Sequence, residues 1–167
     1  MRTRNQVVRR GALGGLAIAA LAGMLLGSSA LAATYYWDAN GTTAGAGTNP
    51  NGTWGSDSYW NDTADGMGTL SAWPNDDYED DAVFSAGSDA ESATITIDGQ
   101  QKGNSISIEE GQYTFNAINS GNIMNWNAGA MTVTVASDLG VQEFNAMLRN
   151  GAGAGWMNVT VNSGSHL

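Results

Sequence analysis

No cysteine occurs anywhere in the 167-residue chain. Disulfides, thiolate metal sites and cysteine nucleophiles are therefore excluded, and the fold must hold by backbone pairing and apolar burial alone. There are two prolines, Pro50 and Pro74, and one histidine, His166, next to the end of the sequence. A serine-histidine-aspartate site needs a held imidazole, and a residue so near a terminus is a poor candidate. Positive charge is scarcer still. Arg2, Arg4, Arg9 and Arg10 precede residue 32, and only Lys102 and Arg149 follow it, against 16 Asp and Glu. Residues 33–167 thus carry a net charge of −14. Such a surface repels nucleic-acid phosphates and anionic membranes. After residue 32 no segment repeats apolar residues at helical spacing.

Residues 1–32 have the organisation of an export signal. Four arginines make a positive start. Gly11 to Gly27 is an uncharged apolar run, and Ala30-Leu31-Ala32 places small residues at a cleavage site. The expectation is a signal peptide at 1–32, cleaved after Ala32, and a mature chain that is extracellular or at the cell surface. An uncleaved anchor is the alternative. Arg9-Arg10 leaves the twin-arginine route open beside the general one. No hydrophobic run long enough to span a membrane follows residue 33.

The rest of the chain is rich in Gly, Asn, Ser, Thr and Ala. Short runs alternate apolar and polar residues, the signature of half-buried strands. They are Ala82–Phe84, Ala93–Ile97, Ser105–Ile108, Tyr113–Phe115, Met131–Val135 and Met157–Val161. Turn pairs such as Asp98-Gly99, Gly103-Asn104, Glu110-Gly111 and Asn150-Gly151 punctuate them. The step from Ile106 to Val133 is nearly the same as the step from Val133 to Val159. A near-constant step in the twenties is the repeat of a β-solenoid coil. The fold expected is all-β: a short right-handed parallel β-helix, with a β-sandwich as the alternative. Asparagines at 104, 116, 119, 122, 125, 127, 145, 150, 158 and 162 suit corner ladders or ordinary turns equally.

Residues 33–81 differ in character. Trp37, Trp54, Trp60 and Trp73, with Tyr35, Tyr36, Tyr59 and Tyr78, stand in Gly- and Asp-rich sequence. An open solenoid end exposes core and unpaired strand edge, so 33–81 is expected to be an aromatic N-terminal cap and 82–167 the coils. Trp54, Trp60 and Trp73 also suit an alternative role, a platform stacking on sugar rings in a carbohydrate-binding module. Asp76, Asp77, Glu79, Asp80 and Asp81 form a dense acidic cluster. Calcium is the one cofactor it suggests, since hard cations want several oxygen ligands. Asp38, Asn40 and Thr42 offer alternate oxygens in the same sense, without the downstream glutamate of an EF-hand loop.

Enzymes fare poorly. Neighbouring carboxylates in one loop do not supply the two opposed groups of a glycosidase. A polysaccharide lyase needs clustered cations, and Lys102 and Arg149 stand far apart in sequence. The glycine-rich stretches 41–47 and 151–155 lack the ending of a phosphate loop.

An ordered set of segments carries a family resemblance. Tyr36-Trp37-Asp38-Ala39-Asn40-Gly41 leads, then Gly52-Thr53-Trp54, Tyr59-Trp60-Asn61, Pro74 and Asp80-Asp81-Ala82-Val83-Phe84. Ala93–Gly99, Lys102–Ile108 and Tyr113–Phe115 close the series. The order resembles the opening module of bacterial proteins with autotransporter-associated β-strand repeats, over about residues 35–116. The resemblance implies an exported right-handed β-helix passenger of adhesin or structural type, meeting cell-surface or matrix components, glycans among them, with no catalytic residues. Members are usually far longer, and no translocator barrel pattern is seen here. The sequence therefore reads as a truncated product or a fragment, and an exposed last coil would favour oligomers.

Overall fold

A computed structural model describes residues 32–76, 78–126, 131–150, 157–162 and 164–167. The expected signal segment, apart from Ala32, lies outside the described residues, as do Asp77, Asn127 and the glycine-rich stretch 151–155.

The described residues are all-β, without helix. In chain order the strands are β1 (Thr34–Trp37), β2 (Gly52–Trp54), β3 (Trp60–Asn61), β4 (Leu70–Ser71), β5 (Asp81–Phe84), β6 (Ser92–Ile97), β7 (Gln100–Gly103) and β8 (Ser105–Ile108). There follow β9 (Gln112–Ala117), β10 (Ile123–Trp126), β11 (Met131–Val135), β12 (Gly140–Val141), β13 (Glu143–Phe144), β14 (Met147–Asn150), β15 (Met157–Val161) and β16 (Ser165–His166).

From β5 onward the chain visits three sheets in rotation. The first sheet stacks β15, β11, β8 and β5 in parallel, and the second stacks β13, β9, β6 and β2. The third stacks β14, β10 and β7. A small fourth sheet pairs β12 with β16. Residues one circuit apart become lateral neighbours. Ala82, Ile106, Val133 and Val159 form one column. Ile95, Phe115 and Phe144 form another, and Gln101, Met124 and Leu148 a third.

The alternation in the sequence decides which side chains point inward. In β8 and β11, Ile106, Ile108, Val133 and Val135 are buried, while Ser107 and Thr134 between them are partly open. Phe84 packs on Phe115 at 5.0 Å, and Phe115 stacks on Phe144 at 4.7 Å. Corners need unusual backbone. Gly111, between β8 and β9, has φ of +73°, a region costly for any residue with a Cβ.

The first circuit is interrupted. β1 runs parallel to β5, with Tyr35 beside Ala82, but its other edge pairs antiparallel with β3, which pairs antiparallel with β4. The mixed order therefore sits at one end of an otherwise parallel sheet. Gly52 opens β2 against Trp37 and Tyr59, and a Cβ there would fall 2.8 Å from the Trp37 ring and 2.7 Å from the Tyr59 ring.

Side chains extend the ladders where strands stop. Asn51 Oδ1 accepts from Thr94 N at 2.6 Å, continuing the pairing of β2 with β6. Asn75, with φ of +54°, accepts from Lys102 N at 2.7 Å and donates to Gln100 O at 2.9 Å, so one amide occupies the edge of β7 as a peptide would. Gln142, fully buried between β12 and β13, accepts from Tyr113 N at 2.7 Å and donates to Gly111 O at 3.1 Å. Buried backbone groups need such partners.

Candidate binding surface

The tryptophans lie in the core. Trp37, Trp54 and Trp60 are 0% exposed and Trp73 is 6% exposed. Trp60 packs on Trp73 at 4.5 Å, Trp54 at 5.0 Å and Trp37 at 5.2 Å. Trp37 donates its indole N–H to Pro50 O, and Trp73 donates to Lys102 O, both at 2.7 Å. Trp54, Trp60 and Trp73 are the residues that suit a sugar platform by sequence. Their ring faces meet other rings instead, and a face that solvent does not reach cannot stack on a sugar.

The acidic cluster is spread along the join between the first circuit and β5. Asp80 Oδ1 accepts from Ala33 N at 3.0 Å. Asp81 Oδ1 accepts from Ser105 Oγ at 2.5 Å and Asn104 Nδ2 at 2.9 Å. Asp76 offers its main-chain oxygen to Lys102 Nζ at 3.4 Å. Glu79 belongs to the same segment, and Asp77 lies outside the described residues. Among the described residues no three histidine or carboxylate side chains gather at metal-binding range.

Asp38 and Asn40 meet near Asp89. Asp38 is fully buried; its carboxylate accepts from Asn40 N and from Asn61 Nδ2, each at 2.9 Å. Desolvation pushes its pKa above the ordinary carboxylate value, against the lowering pull of these hydrogen bonds. Asp89 accepts from Ala46 N at 2.7 Å and Gly47 N at 3.1 Å. Asp89 thus ties the 38–47 loop to the turn after β5, while Asp38 joins the start of that loop to Asn61 of β3. Thr42 is exposed in that loop.

Lys102 and Arg149, well separated in sequence, share one column of the third sheet, with Asn125 between them. Tyr78 covers this column: its hydroxyl accepts from Asn125 Nδ2 at 3.2 Å, and Lys102 Nζ stands 5.6 Å from its ring centre. The cations are therefore aligned but two rungs, ~10 Å, apart. That is too far to act together on one developing anion.

The outer face of the second sheet carries a polar groove of about 320 Å³. Register lines up Asn51, Thr94, Thr114 and Glu143 along it, with Ser92 beside Gln112 in the next column. Sequence reasoning does not single these residues out. Thr94 and Thr114 are merely the polar members of alternating strands, Asn51 stands before β2, and only register shows that they coincide. A second hollow of about 330 Å³ lies at the corner of the second and third sheets, beside Asn122, Asn145 and the exposed Met147.

The asparagines divide between the two roles that suited them. Asn145 Nδ2 donates to Asn116 Oδ1 one rung away at 3.0 Å, and Asn122 Nδ2 donates to Ile97 O at 3.0 Å. Asn119 closes a local turn onto Gly121 N at 2.9 Å.

No family model matches the chain, and no solved structure matches it. In an alignment of 150 positions that covers 84% of the chain, it is 32% identical to the adhesin BmaC autotransporter of Brucella suis biovar 1 (strain 1330). The chain spans 4% of that protein's length. It is thus similar to one stretch of a much larger autotransporter adhesin.

Proposed function

We propose that the chain is an exported, non-catalytic β-solenoid segment of adhesin type, displayed at a cell surface or released outside the cell. The similarity to an autotransporter adhesin along most of the chain carries this reading. The strand order supports it. The three sheets visited in rotation are read as the faces of a short right-handed parallel β-helix, with 33–81 closing its N-terminal end and 82–167 forming its coils. A rigid ladder of outward side chains suits recognition of surface or matrix components, and the net charge of −14 after residue 32 argues against polyanionic partners.

Residues 1–32 are read as the cleaved leader. The Ala33 N–H already donates to Asp80 at 3.0 Å. Hydrolysis after Ala32 would turn that amide into an ammonium facing a carboxylate, so processing there strengthens a contact of the cap. Calcium, if bound, would draw on the 76–81 segment.

Two measurements test the proposal. N-terminal sequencing of the chain recovered from an exporting bacterial host is expected to begin at Ala33; recovery of intact Met1 contradicts cleavage. Beads coated with the full chain are expected to bind cultured cells or matrix saturably. Binding no greater than that of heat-denatured chain contradicts the adhesive role.

A further inference from the structure

Resting on that adhesive reading, we propose that the groove across the second sheet is a binding site for an uncharged oligosaccharide, held by Asn49, Asn51, Thr94, Gln112, Thr114 and Glu143.

Unspent hydrogen-bonding capacity distinguishes this groove. Asn49 and Asn51 commit their carbonyl oxygens to the protein, to Ser92 Oγ at 3.1 Å and Thr94 N at 2.6 Å. Their amide N–H groups are left without a partner among the described residues. The hydroxyls of Thr94 and Thr114, the amide of Gln112 and the carboxylate of Glu143 are likewise uncommitted there, and all of them line one hollow. At the second hollow the side-chain amides of Asn122 and Asn145 are already donated to Ile97 O and Asn116 Oδ1, which leaves fewer uncommitted groups among the described residues, Asn119 Nδ2 and Ser120 Oγ.

The chemistry of the lining selects the ligand. β6 and β9, each paired on both edges, form the floor of the groove, and the sheet's outer edges are β2 and β13. A ligand lying across that floor meets side chains rather than free backbone groups. Their inventory alternates donors, acceptors and hydroxyls that are both, repeated at the rung spacing of ~4.8 Å. A sugar chain presents the matching set, since every hydroxyl both donates and accepts. Glu143 suits a pair of neighbouring hydroxyls, each giving a charge-assisted hydrogen bond.

Charge narrows the choice. Among the described residues no lysine or arginine lines the groove, Glu143 stands within it, and residues 33–167 carry −14 overall. Sulfated or uronic-acid glycans are repelled. The volume of about 320 Å³ lies at the small end of ligand sites, which run from about 300 to 1,000 Å³. It fits a short stretch of one glycan chain. Trp37, Trp54, Trp60 and Trp73 lie in the core and take no part in binding.

The test is a titration of the ¹⁵N-labelled full chain with maltopentaose, cellopentaose, mannopentaose and chitopentaose, using heparin and polygalacturonate as anionic probes. At least one neutral sugar is expected to shift the side-chain amide signals of Asn49, Asn51 and Gln112 and the backbone signals of Thr94 and Thr114. Glu143→Gln and Thr114→Val are each expected to weaken that binding about 3- to 10-fold, the loss of one hydrogen bond. Neither should move the thermal midpoint, because both side chains face outward. The proposal is overturned if no neutral sugar shifts these signals at tens of millimolar. It is also overturned if the variants bind unchanged, or if only the anionic probes bind there. Cell binding separates the two readings. A chain that adheres to cells while its groove ignores neutral sugars removes the groove proposal and keeps the adhesive one. A groove that takes sugar on a chain that adheres to nothing does the reverse.

Discussion

The region before β5 and the stack from β5 to β15 solve opposite problems with the same strand chemistry. In the stack, parallel neighbours are close in sequence, the shortest step running from Ile95 to Phe115 and the longest from Phe115 to Phe144. Each rung satisfies its backbone on the rungs above and below, and the interior is filled by isoleucine and valine together with Phe84, Phe115 and Phe144. In the first circuit the corresponding steps are much longer, from Tyr35 to Ala82 and from Gly52 to Ile95. The extra chain folds back as β3 and β4 and delivers Trp60 and Trp73 onto the end of the core. Side chains there replace missing strands: Asn51 on β6 and Asn75 on β7. The stack repeats residues in regular register, whereas the first circuit concentrates tryptophans and uses polar side chains that imitate peptide groups.

The sharpest way to break this contrast is to remove the bulk. Trp60→Ala empties a site enclosed by Trp37, Trp54, Trp73 and Phe84. Its expected cost is about 3–5 kcal/mol of unfolding free energy in a denaturant titration. Asn75→Ala comes next. It withdraws two hydrogen bonds from the edge of β7 and puts alanine at positive φ, for an expected loss of about 1–2 kcal/mol. Within the stack, Ile106→Val removes one methylene between Ala82 and Val133 and should cost about 1 kcal/mol. A stack substitution this small that cost as much as Trp60→Ala would erase the distinction between the first circuit and the stack. Asp80→Asn, in the chain processed after Ala32, should cost about 0.5 kcal/mol and should cost less in the unprocessed chain.

The smallest effect is one of pH. Asp38 is buried, and desolvation raises its pKa in the folded chain. The folded state then holds the proton more tightly than the unfolded one. The stability this contributes is complete below the unfolded pKa and is lost as pH rises through the folded pKa. Urea midpoints through the acidic range should therefore fall with rising pH by a component that Asp38→Asn removes. An unchanged profile in that variant would assign the slope to other carboxylates.

Much of the stack is legible in the sequence. Ser105–Ile108, Met131–Val135 and Met157–Val161 are strands with the expected bounds. The near-constant step between them reappears as direct neighbours, Ile106 beside Val133 beside Val159. The third sheet is not legible, for identifiable reasons. In β7 the inward residue is Gln101, which is buried although polar. In β10 every residue is buried, Asn125 beneath Tyr78 among them, and the alternation disappears. The tryptophans could be read for composition but not for exposure, since both a cap and a sugar platform call for clustered aromatics. The polar groove depends on register between strands far apart in sequence, which no single segment encodes.

Cysteine pairing tests the central claim, a stack of parallel rungs in fixed register, most directly, because the chain has no cysteine of its own. Ser107 and Thr134 are direct neighbours on adjacent strands of the first sheet, and Thr160 lies one rung further on. Adjacent strands stand ~4.8 Å apart, inside the span of about 4.4–6.8 Å that a disulfide bridges, whereas two rungs are not. Under mild oxidation Ser107→Cys with Thr134→Cys is expected to close a disulfide nearly completely, and Ser107→Cys with Thr160→Cys is expected to stay reduced. Efficient closure of the second pair and not the first would contradict the stack.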